Sequence, residues 1–303
     1  MKKSRKIIIA VVAVLLIIAA IVGTRDFLSC RGQSPVPDEK TYGFTEKPDD
    51  AIRVMSFNIR CTNVGLRSQN KRVPDVVATI LKGMPDSFGV QEATPEWIET
   101  LTKEIGGKYE WVGEGRNGGN KGEYSAVFYL KDKYTATESG TFWLSPTPEK
   151  PSKGWDAAFN RICTWVILEN KETGEKYIHM NSHFDHVGEE ARSNSLRMIV
   201  EKSKEYEDIP AVFTADMNVK EGSNNYKEIA DNSIFKDTKY TAENVYDYIT
   251  FHDRFPEEHP DSVIDYCFAN EGFEAITYCV VTESPSEYYV SDHFPVYTDL
   301  RFK

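Results

Sequence analysis

The sequence predicts an α/β fold: a four-layer α/β sandwich in which two packed mixed β-sheets are flanked by helices, preceded by an N-terminal transmembrane helix. Short β-rich apolar runs alternate with amphipathic helical stretches from residue 51 to the C-terminus. This alternation calls for both antiparallel and crossover connections, which predicts mixed sheets. One apolar run near the N-terminus is long enough to enter a bilayer.

The N-terminus consists of a basic segment, residues 1–6, and an apolar segment, residues 7–24. The run from Ile7 to Val22 has no charged residue, and the basic residues before it are expected to stay in the cytoplasm. We therefore expect a membrane anchor with the remaining chain on the extracytoplasmic face of a bacterial cell envelope. A cleaved signal segment, or a lipid-modified Cys30, is the alternative, and it predicts a secreted protein or a lipoprotein.

Residues 25–50 are polar and are predicted to form a linker, and residues 51–303 are predicted to form one domain. The first two strands, IRVMSFNI and DSFGVQ, are each followed by a predicted helix, VPDVVATILKGM and PEWIETLTKEI. A third amphipathic helix is predicted at EEARSNSLRMIVEKSKEY. The other predicted strands are YEWVGEG, YSAVFYL, CTWVILEN, KYIHMNSHF, PAVFTADM, IDYCFA, EAITYCVVT and FPVYTDLRF.

The charge and the cysteine spacing argue against two functional classes, nonspecific nucleic-acid binding and structural zinc sites. The net charge is −11, which disfavours nonspecific binding to nucleic acid, because phosphate contacts need clustered cations. We expect a monomer with no stable nucleic-acid partner. The cysteines show no CxxC spacing, which argues against structural zinc, and Cys163 and Cys267 lie in apolar runs where buried free thiols are expected.

Polar side chains lie where several apolar runs begin or end, and one more, Asp265, lies inside such a run. The others are Asn58, Glu92, His183, Asp216, Asn218, Asp292 and His293. A carboxylate beside buried strand residues is unfavourable unless it is paired or binds a cation, so we expect these groups to meet at one cleft. Oxygen ligands outnumber histidines, which favours Mg²⁺ or Mn²⁺ over zinc.

Six motifs occur in an order that resembles the endonuclease/exonuclease/phosphatase superfamily. They are MSFNIR (55–60), VQEA (90–93), NSHFDH (181–186), TADMN (214–218), VIDY (263–266) and SDHFPV (291–296). The resemblance spans residues 51–303 and implies metal-dependent hydrolysis of phosphate esters. GTFWLS (140–145), KGWDAAFNRICTW (153–165) and HFDHVGEEAR (183–192) are most similar to a bacterial branch of this superfamily.

The resemblance implies a metal site and an activated water. Asn58, Glu92 and Asp292 match the positions that hold the divalent cation in the superfamily. Asp216 matches the residue that orients or deprotonates the attacking water. Asn218, beside it, matches a residue that contacts the phosphate.

The resemblance also implies groups that act on the phosphate and on the leaving oxygen. His293 matches the histidine that contacts the scissile phosphate, and Asp265 matches the carboxylate that fixes its tautomer. His183 matches the histidine that assists the leaving oxygen. Glu123 lies where a glutamate supports that histidine, and Arg161 lies where an arginine binds the phosphate.

The motif NSHFDH has a rival interpretation. It resembles the H-x-H-x-D-H motif of metallo-β-lactamase-fold enzymes, with Asn181 in place of the first histidine. That alternative makes His183, Asp185 and His186 ligands of a zinc pair, but it leaves SDHFPV, TADMN and VQEA unexplained. We expect instead that Asp185 and His186 support neighbouring groups, and that His179 is a hydrogen-bonded residue of the surface or core.

Two positions depart from the superfamily pattern: Ala215 replaces the usual glycine and Val263 replaces a common arginine. Neither removes a group that hydrolysis needs. We therefore expect a membrane-tethered, extracytoplasmic, Mg²⁺-dependent hydrolase of phosphate esters, either a phosphodiesterase or a phosphatase. The alternatives are a nuclease acting on DNA or RNA and a catalytically inactive binding module on the same fold. No metal or histidine position is missing, which disfavours the inactive module.

Overall fold

The structure is a computed structural model that describes residues 38–62, 68–232, 234–253 and 255–303, together with residues 13, 14, 17 and 20. Within these residues, no helix combines the length and apolar character that crossing a membrane requires. The predicted basic segment, and most of the predicted membrane segment at 7–24, lie outside the described residues.

The described residues form two sheets and the helices that cover them. The strands are β1 (Ile52–Asn58), β2 (Ser87–Gln91), β3 (Tyr109–Val112), β4 (Val127–Leu130), β5 (Tyr134–Trp143), β6 (Ile162–Asn170), β7 (Lys176–His183), β8 (Ala211–Asp216), β9 (Lys236–Asp237), β10 (Asn244–Tyr246), β11 (Asp265–Ala269), β12 (Phe273–Val280) and β13 (Val296–Phe302). The helices are α1 (Gln69–Gly83), α2 (Pro95–Ile105), α3 (Glu189–Lys204), α4 (Asn224–Asn232) and α5 (Thr238–Thr241), with 3₁₀ turns at Asp38–Lys40 and Pro256–Glu258.

Both sheets are mixed, as predicted. The first sheet has the strand order β10-β12-β13-β1-β2-β4-β3, and the second has the order β5-β6-β7-β8-β11-β9. The pairs β1–β2, β10–β12 and β7–β8 are parallel, and the other pairs are antiparallel. The helices α1 and α3 connect the parallel pairs β1–β2 and β7–β8, because parallel neighbours need a crossover.

The alternation of side chains along β1 shows how the layers are stacked. Met55 and Phe57 belong to a buried cluster with residues of α1 and α2, including Val76 and Trp97. Val54, on the opposite face, packs with residues of both sheets, among them Val166, Val212 and Leu300. A third cluster joins α3 and α4 to the outer face of the second sheet, with Leu196, Ile199, Ile229, Met180 and Phe213. The predicted sandwich of helices, two sheets and helices is confirmed.

Helix α2 begins where the sequence predicts it. Thr94 precedes the helix in an extended conformation, and its hydroxyl accepts a hydrogen bond from the Trp97 backbone N–H at 3.3 Å. Pro95 occupies the first turn, where its missing N–H costs no hydrogen bond. Trp97, Ile98 and Leu101 then lie on the buried face. This cap holds the helix against the end of β2, next to Glu92.

A layer of polar side chains lies between the sheets, under the predicted catalytic residues. Asn181 is fully buried; its Oδ1 accepts from Gln91 Nε2 at 2.7 Å and from Thr214 Oγ1 at 3.0 Å. Its Nδ2 donates to the carbonyl oxygens of Val90 and Ala126 at 2.9 and 3.0 Å. A Cβ at Gly89 would lie 2.3 Å from the Asn181 side chain, so the close approach of the sheets here requires glycine.

The same layer accounts for His179. Its ring nitrogens lie 2.8 Å from Ser87 Oγ and 2.9 Å from Thr214 Oγ1, and the residue is fully buried. Burial lowers the pKa of His179 to about 3, so the ring is neutral. The structure places this histidine in the core, with both ring nitrogens paired.

The structure adds elements that the sequence pattern did not indicate. Strands β5, β9 and β10 and helices α4 and α5 are absent from the predicted set. Residues of the predicted linker also pack on the domain: the Tyr42 N–H donates to Thr282 Oγ1 at 2.7 Å, and the Phe44 ring stacks on Tyr297 at 5.2 Å. The four cysteines in the described residues are free, and Cys163 and Cys267 are buried, as predicted.

The buried Asn181 network gives a stability prediction. We expect Asn181→Ala to lower the free energy of unfolding by roughly 3 kcal/mol, because the Gln91 amide and two backbone carbonyls lose buried partners. Urea unfolding measures this loss. Asn194→Ala, which removes a half-buried asparagine side chain of α3 whose hydrogen bond to the Glu190 carbonyl is exposed to solvent, is the control and should change stability by less than about 0.5 kcal/mol. Equal stability of both variants would contradict a role for the polar layer.

Candidate active site

Asp216 lies where the ends of several strands from both sheets meet. In the second sheet it is in register with His183 of the parallel strand β7 and with Asp265 of the antiparallel strand β11. In the first sheet, β1 ends at Asn58, whose Nδ2 donates across the sheets to Asp216 Oδ2 at 2.8 Å. Strand order and register therefore bring together residues that are far apart in sequence.

Two histidines lie near the same carboxylate oxygen. Asp216 Oδ2 is 3.5 Å from His183 Nε2 and 3.9 Å from His293 Nε2. The other oxygen, Oδ1, accepts the backbone N–H of Asn218 at 3.0 Å. Burial and the negative charge of Asp265 raise the pKa of Asp216 to about 7. A carboxylate in this setting can accept a proton near neutral pH.

His293 is held by Asp265, as the resemblance implies. The Nδ1–H donates to Asp265 Oδ2 at 2.8 Å, which leaves Nε2 directed toward Asp216. Burial lowers the pKa of His293, but the carboxylates of Asp265, Asp216 and Asp292 outweigh burial and raise it to about 10. This histidine therefore carries a positive charge at the centre of the acidic cluster.

His183 lies in the opposite electrostatic environment. Burial and the charges of Arg161 and His293 hold its pKa well below the usual value, so the ring is neutral. Asn218 Nδ2 donates to His183 Nε2 at 3.1 Å and to the Phe184 carbonyl at 3.0 Å. The other ring nitrogen, Nδ1, is buried and has no hydrogen-bond partner within the described part of the chain.

Glu123 does not bond to His183 directly in the described residues. Its Oε2 accepts from Arg116 Nη1 at 2.8 Å instead. Both Glu123 and His183 line a small cavity of about 10 Å³, which is close to the space that one water molecule needs. The predicted support of His183 by Glu123 therefore stays a prediction.

Two of the three predicted metal ligands, Glu92 and Asp292, line the same cavity as Asp216, and the third, Asn58, is bonded to Glu92 and Asp216. Glu92 accepts from Asn58 Nδ2 at 3.2 Å and from the Cys61 backbone N–H at 2.9 Å. Burial raises the pKa of Glu92, but the Cys61 N–H and the charge of His293 outweigh burial, so the group stays ionised. Asp292 pairs with Arg60 Nε at 3.1 Å. Glu92 and Asp292 both line the central cavity, and carboxylate oxygens are ligands that a hard divalent cation prefers. Asn58 Oδ1 accepts the Arg60 backbone N–H at 3.0 Å, which leaves its second lone pair for an ion.

A second cluster could also hold a cation. Ligand atoms of Asp216, Asp265 and His293 lie within 4.8 Å of one another, and all three residues are buried. The hydrogen bond from His293 Nδ1 to Asp265 uses one ring nitrogen, and Asp265 Oδ1 is buried with no hydrogen-bond partner in the described chain. A buried acidic and histidine cluster of this kind is a feature of divalent-cation sites.

The geometry around Asp185 does not support the zinc alternative. Both oxygens of Asp185 accept backbone N–H groups, those of Ala158, Val187 and Gly188 at 2.9–3.0 Å and that of Phe159 at 3.2 Å. These bonds lower the pKa of Asp185 against the effect of burial. Asp185 also accepts from Arg161 Nε at 3.3 Å. As expected from the sequence, this carboxylate supports its neighbours and orders the loop before β6.

Arg161, which is predicted to bind the phosphate, lines the cavity together with Arg116, Phe159 and His186. Arg161 is buried, and its Nη2 is 3.3 Å from His186 Nδ1. The Phe159 ring stacks on the His186 ring at 5.7 Å, and the Arg116 guanidinium lies 4.8 Å from the centre of the Phe159 ring. Burial and the charge of Arg116 lower the pKa of Arg161. The motifs gave no role to Arg116 or Phe159, because both lie in loops without periodicity.

All the predicted site residues except Asn58 and Asp265 line one cavity of about 310 Å³. It is lined by Cys61, Glu92, Arg116, Glu123, Phe159, Arg161, His183, His186, Asp216, Asn218, Phe251, Ile264, Asp292 and His293. Phe251, which the sequence analysis missed, lies 4.9 Å from the His293 ring. Asn58 and Asp265 lie behind the lining and are bonded to Asp216 and His293 respectively.

Backbone conformation also marks this site. Glu92 and Asn218 have φ values of 59° and 50°, and Arg60, two residues after Asn58 in the chain, has 58°. Non-glycine residues seldom adopt these left-handed conformations, which persist where surrounding contacts fix them. Glu92 and Asn218 are held by the hydrogen bonds described above, so local strain accompanies the placement of both side chains.

Comparisons with known proteins agree with this geometry. Residues 55–293 match the Endonuclease/Exonuclease/phosphatase family. A family member from Bacteroides vulgatus is 37% identical, with a TM-score of 0.80 over 84% of this chain and 99% of its own. A mannosyl-6-phosphatase from Bacteroides thetaiotaomicron is 33% identical, with a TM-score of 0.78 over 83% of this chain and 100% of its own.

More distant structures share the fold. The catalytic domain of human Nocturnin, solved with a bound sulfate, is 20% identical, with a TM-score of 0.68 over 85% of this chain and 97% of its own. Among proteins with curated descriptions, none matches this chain significantly. The family match covers most of the chain and includes five of the six motifs in full and the sixth up to His293, and relatives above 30% identity cover more than four-fifths of the chain. The chain belongs to the endonuclease/exonuclease/phosphatase family.

Proposed function

We propose that this protein is a divalent-metal-dependent hydrolase of small phosphate esters, with Mg²⁺ as the preferred cation. Members of the family are hydrolases that act on phosphate esters. The observation that carries the proposal is the convergence of Asn58, His183 and His293 on the carboxylate of Asp216 at the floor of one cavity. This arrangement supplies a base, cationic and neutral phosphate contacts, and adjacent oxygen ligands.

Each group has a chemical task in the proposed reaction. Asp216 accepts the proton of the attacking water, and Asn58 Nδ2 fixes the orientation of its carboxylate. His293, held by Asp265, donates Nε2–H to a phosphate oxygen and balances developing charge. In this scheme Asn218 Nδ2 contacts the phosphate, and His183, which it bonds at Nε2, lies beside the departing oxygen, which takes its proton from water.

A divalent cation would add positive charge to this acidic site. When held by Glu92, Asp292 and Asn58, it supplies positive charge that polarises the phosphoryl group. The chain's own contribution is the ionised Glu92, which the Cys61 N–H stabilises, and the guanidinium of Arg60, which orients Asp292. Oxygen donors of this type favour Mg²⁺ or Mn²⁺.

The size of the cavity and the relatives support a small substrate. A volume of about 310 Å³ suits a monomeric phosphate ester. A relative that is 33% identical over 83% of this chain is a mannosyl-6-phosphatase, which supports phosphatase action on a phosphomonoester. The net charge of −11 disfavours a nuclease that tracks along a polymer.

We further propose that residues 7–24 tether the enzyme to the membrane with its active site on the extracytoplasmic face. The support is the charge pattern of the sequence, in which basic residues precede an uncharged apolar run. The full-length chain should fractionate with membranes at high salt, and a chain without residues 1–24 should be released. Release of both chains by a salt wash would overturn the tether.

Variants of the two central residues test the chemistry. We expect Asp216→Asn and His293→Ala each to lower kcat/KM by about 10²-fold or more, because each removes proton transfer or charge stabilisation. Phosphate release from a panel of sugar phosphates and 4-nitrophenyl phosphate with Mg²⁺ measures the loss. Asp237→Asn, a buried aspartate of β9 bonded to Tyr226, is the matched control. Full activity in both central variants would rule out the proposed mechanism.

Metal removal tests the second part of the proposal. EDTA should abolish phosphate release, and added Mg²⁺ or Mn²⁺ should restore it. Glu92→Gln should raise the metal concentration for half-maximal activity by about tenfold or more, because one ionised ligand is lost. Glu99→Gln, on the exposed face of α2, should leave that concentration unchanged. Activity that persists in EDTA after dialysis would show that the reaction needs no exchangeable cation.

A further inference from the structure

The cavity has a wall that the catalytic scheme does not use, formed by Arg116, Phe159 and His186. All three residues line the same cavity as Asp216 and His293. Arg116 also lines the small cavity next to His183, so the wall lies on the side of the proposed leaving oxygen. We call this surface the leaving-group wall.

Hydrogen bonds to neighbouring residues hold the leaving-group wall in place. The Phe159 backbone N–H donates to Asp185 at 3.2 Å, and the same carboxylate holds Arg161. Arg116 is fixed from both ends: its guanidinium bonds to Glu123 at 2.8 Å, and its carbonyl accepts from Trp143 Nε1 at 2.7 Å. The geometry of the wall is therefore set before a substrate arrives.

The exposed ring of Phe159 provides a surface on which a ligand could pack. The ring keeps 48% of its surface exposed, although it lines the cavity and contacts His186 and Arg116. An exposed aromatic ring at the mouth of a polar cavity provides an apolar surface for the C–H groups of a ring-shaped ligand. The adjacent guanidinium of Arg116 provides directed donors at the edge of that surface.

The charges next to the wall decide between two kinds of ligand. The Arg116 guanidinium is paired with Glu123, and the Arg161 guanidinium is paired with Asp185, so each positive charge has a neighbouring negative charge. A surface of this kind gains little from a second anionic group on the ligand. It does offer both donors and acceptors, which hydroxyl groups need.

We propose that Arg116, Phe159 and His186 bind the leaving alcohol, and that this alcohol is a hydroxyl-rich ring, as in sugar and polyol phosphates. The inference rests on the proposed function, because it requires the phosphoryl group to lie at Asp216 and His293. The C–H face of the ring packs on Phe159, and its hydroxyls bond to Arg116 and to the carboxylate beside it. These residues thereby determine specificity without taking part in bond cleavage.

The test compares two substrates that release primary alcohols. A hexose 6-phosphate, glucose or mannose, reaches the wall, whereas methyl phosphate has the same type of ester bond and cannot. We expect Phe159→Ala to lower the ratio of kcat/KM for the hexose phosphate to that for methyl phosphate by about tenfold, mainly through KM. Arg116→Gln should lower the same ratio. The Phe159→Ala variant should fold normally, because Phe159 is exposed. Val187→Ala, an exposed neighbour of His186 outside the cavity, is the matched control.

Each outcome decides the proposal. If the ratio of kcat/KM values is unchanged in both Phe159→Ala and Arg116→Gln, the proposal is wrong. If Arg116→Gln lowers kcat/KM more for a hexose bisphosphate than for the monophosphate, the wall binds a second anionic group instead of a hydroxyl-rich ring. Calorimetric titration of the protein with hexose 6-phosphate measures binding at the wall independently of hydrolysis. If the wild type hydrolyses neither ester, the proposed function fails. Even in that case, a Kd for hexose 6-phosphate that is about tenfold higher in both variants than in the wild type supports binding at the leaving-group wall. An equal Kd in all three proteins contradicts it.

Discussion

The hydrogen bond from Asn58 Nδ2 to Asp216 Oδ2, at 2.8 Å, is the contact on which the site depends. It joins the last residue of β1 in one sheet to the last residue of β8 in the other, so it fixes the catalytic carboxylate relative to both halves of the sandwich. The buried Asn181 layer below it keeps the sheets at the distance that this bond requires. Fold and site are thereby coupled, because a shift of either sheet would separate the proposed metal ligands from the proposed base.

The second constraint is the concentration of negative charge. Glu92, Asp216 and Asp292 line one cavity and Asp265 lies directly behind it, and full or partial burial makes each charge costly unless it is compensated. His293 provides one positive charge and Arg60 another. The raised pKa of Asp216 indicates that this compensation is incomplete within the chain itself, which is the electrostatic setting in which a divalent cation binds. On the other side of His183, paired arginines and an exposed phenylalanine form a nearly neutral surface suited to a different part of the substrate.

The sequence carried enough information for the layers and for most of the site. Strands with both faces buried, such as β1 and β8, consist mostly of apolar residues, and a polar residue at the end of such a strand is conspicuous, as with Asn58 and Asp216. Edge strands lack this signal: β5 alternates irregularly between polar and apolar residues and is largely exposed, and β9 and β10 are only two and three residues long. Arg116, Phe159 and Phe251 lie in loops, where position depends on tertiary contacts that no local pattern encodes. For the same reason the partner of Glu123 could not be predicted, since Arg116 reaches it through the loop that follows β3.

Anomalous scattering from a crystal grown with Mn²⁺ tests the proposed metal site, because it locates the cation without reference to activity. We expect a peak bound by oxygens of Glu92 and Asp292, with His293 still bonded to Asp265. A peak bound by His293 within the Asp216 and Asp265 cluster would contradict the assignment of this histidine to the phosphate. A peak at His183 and His186 would restore the zinc-type interpretation of the NSHFDH motif.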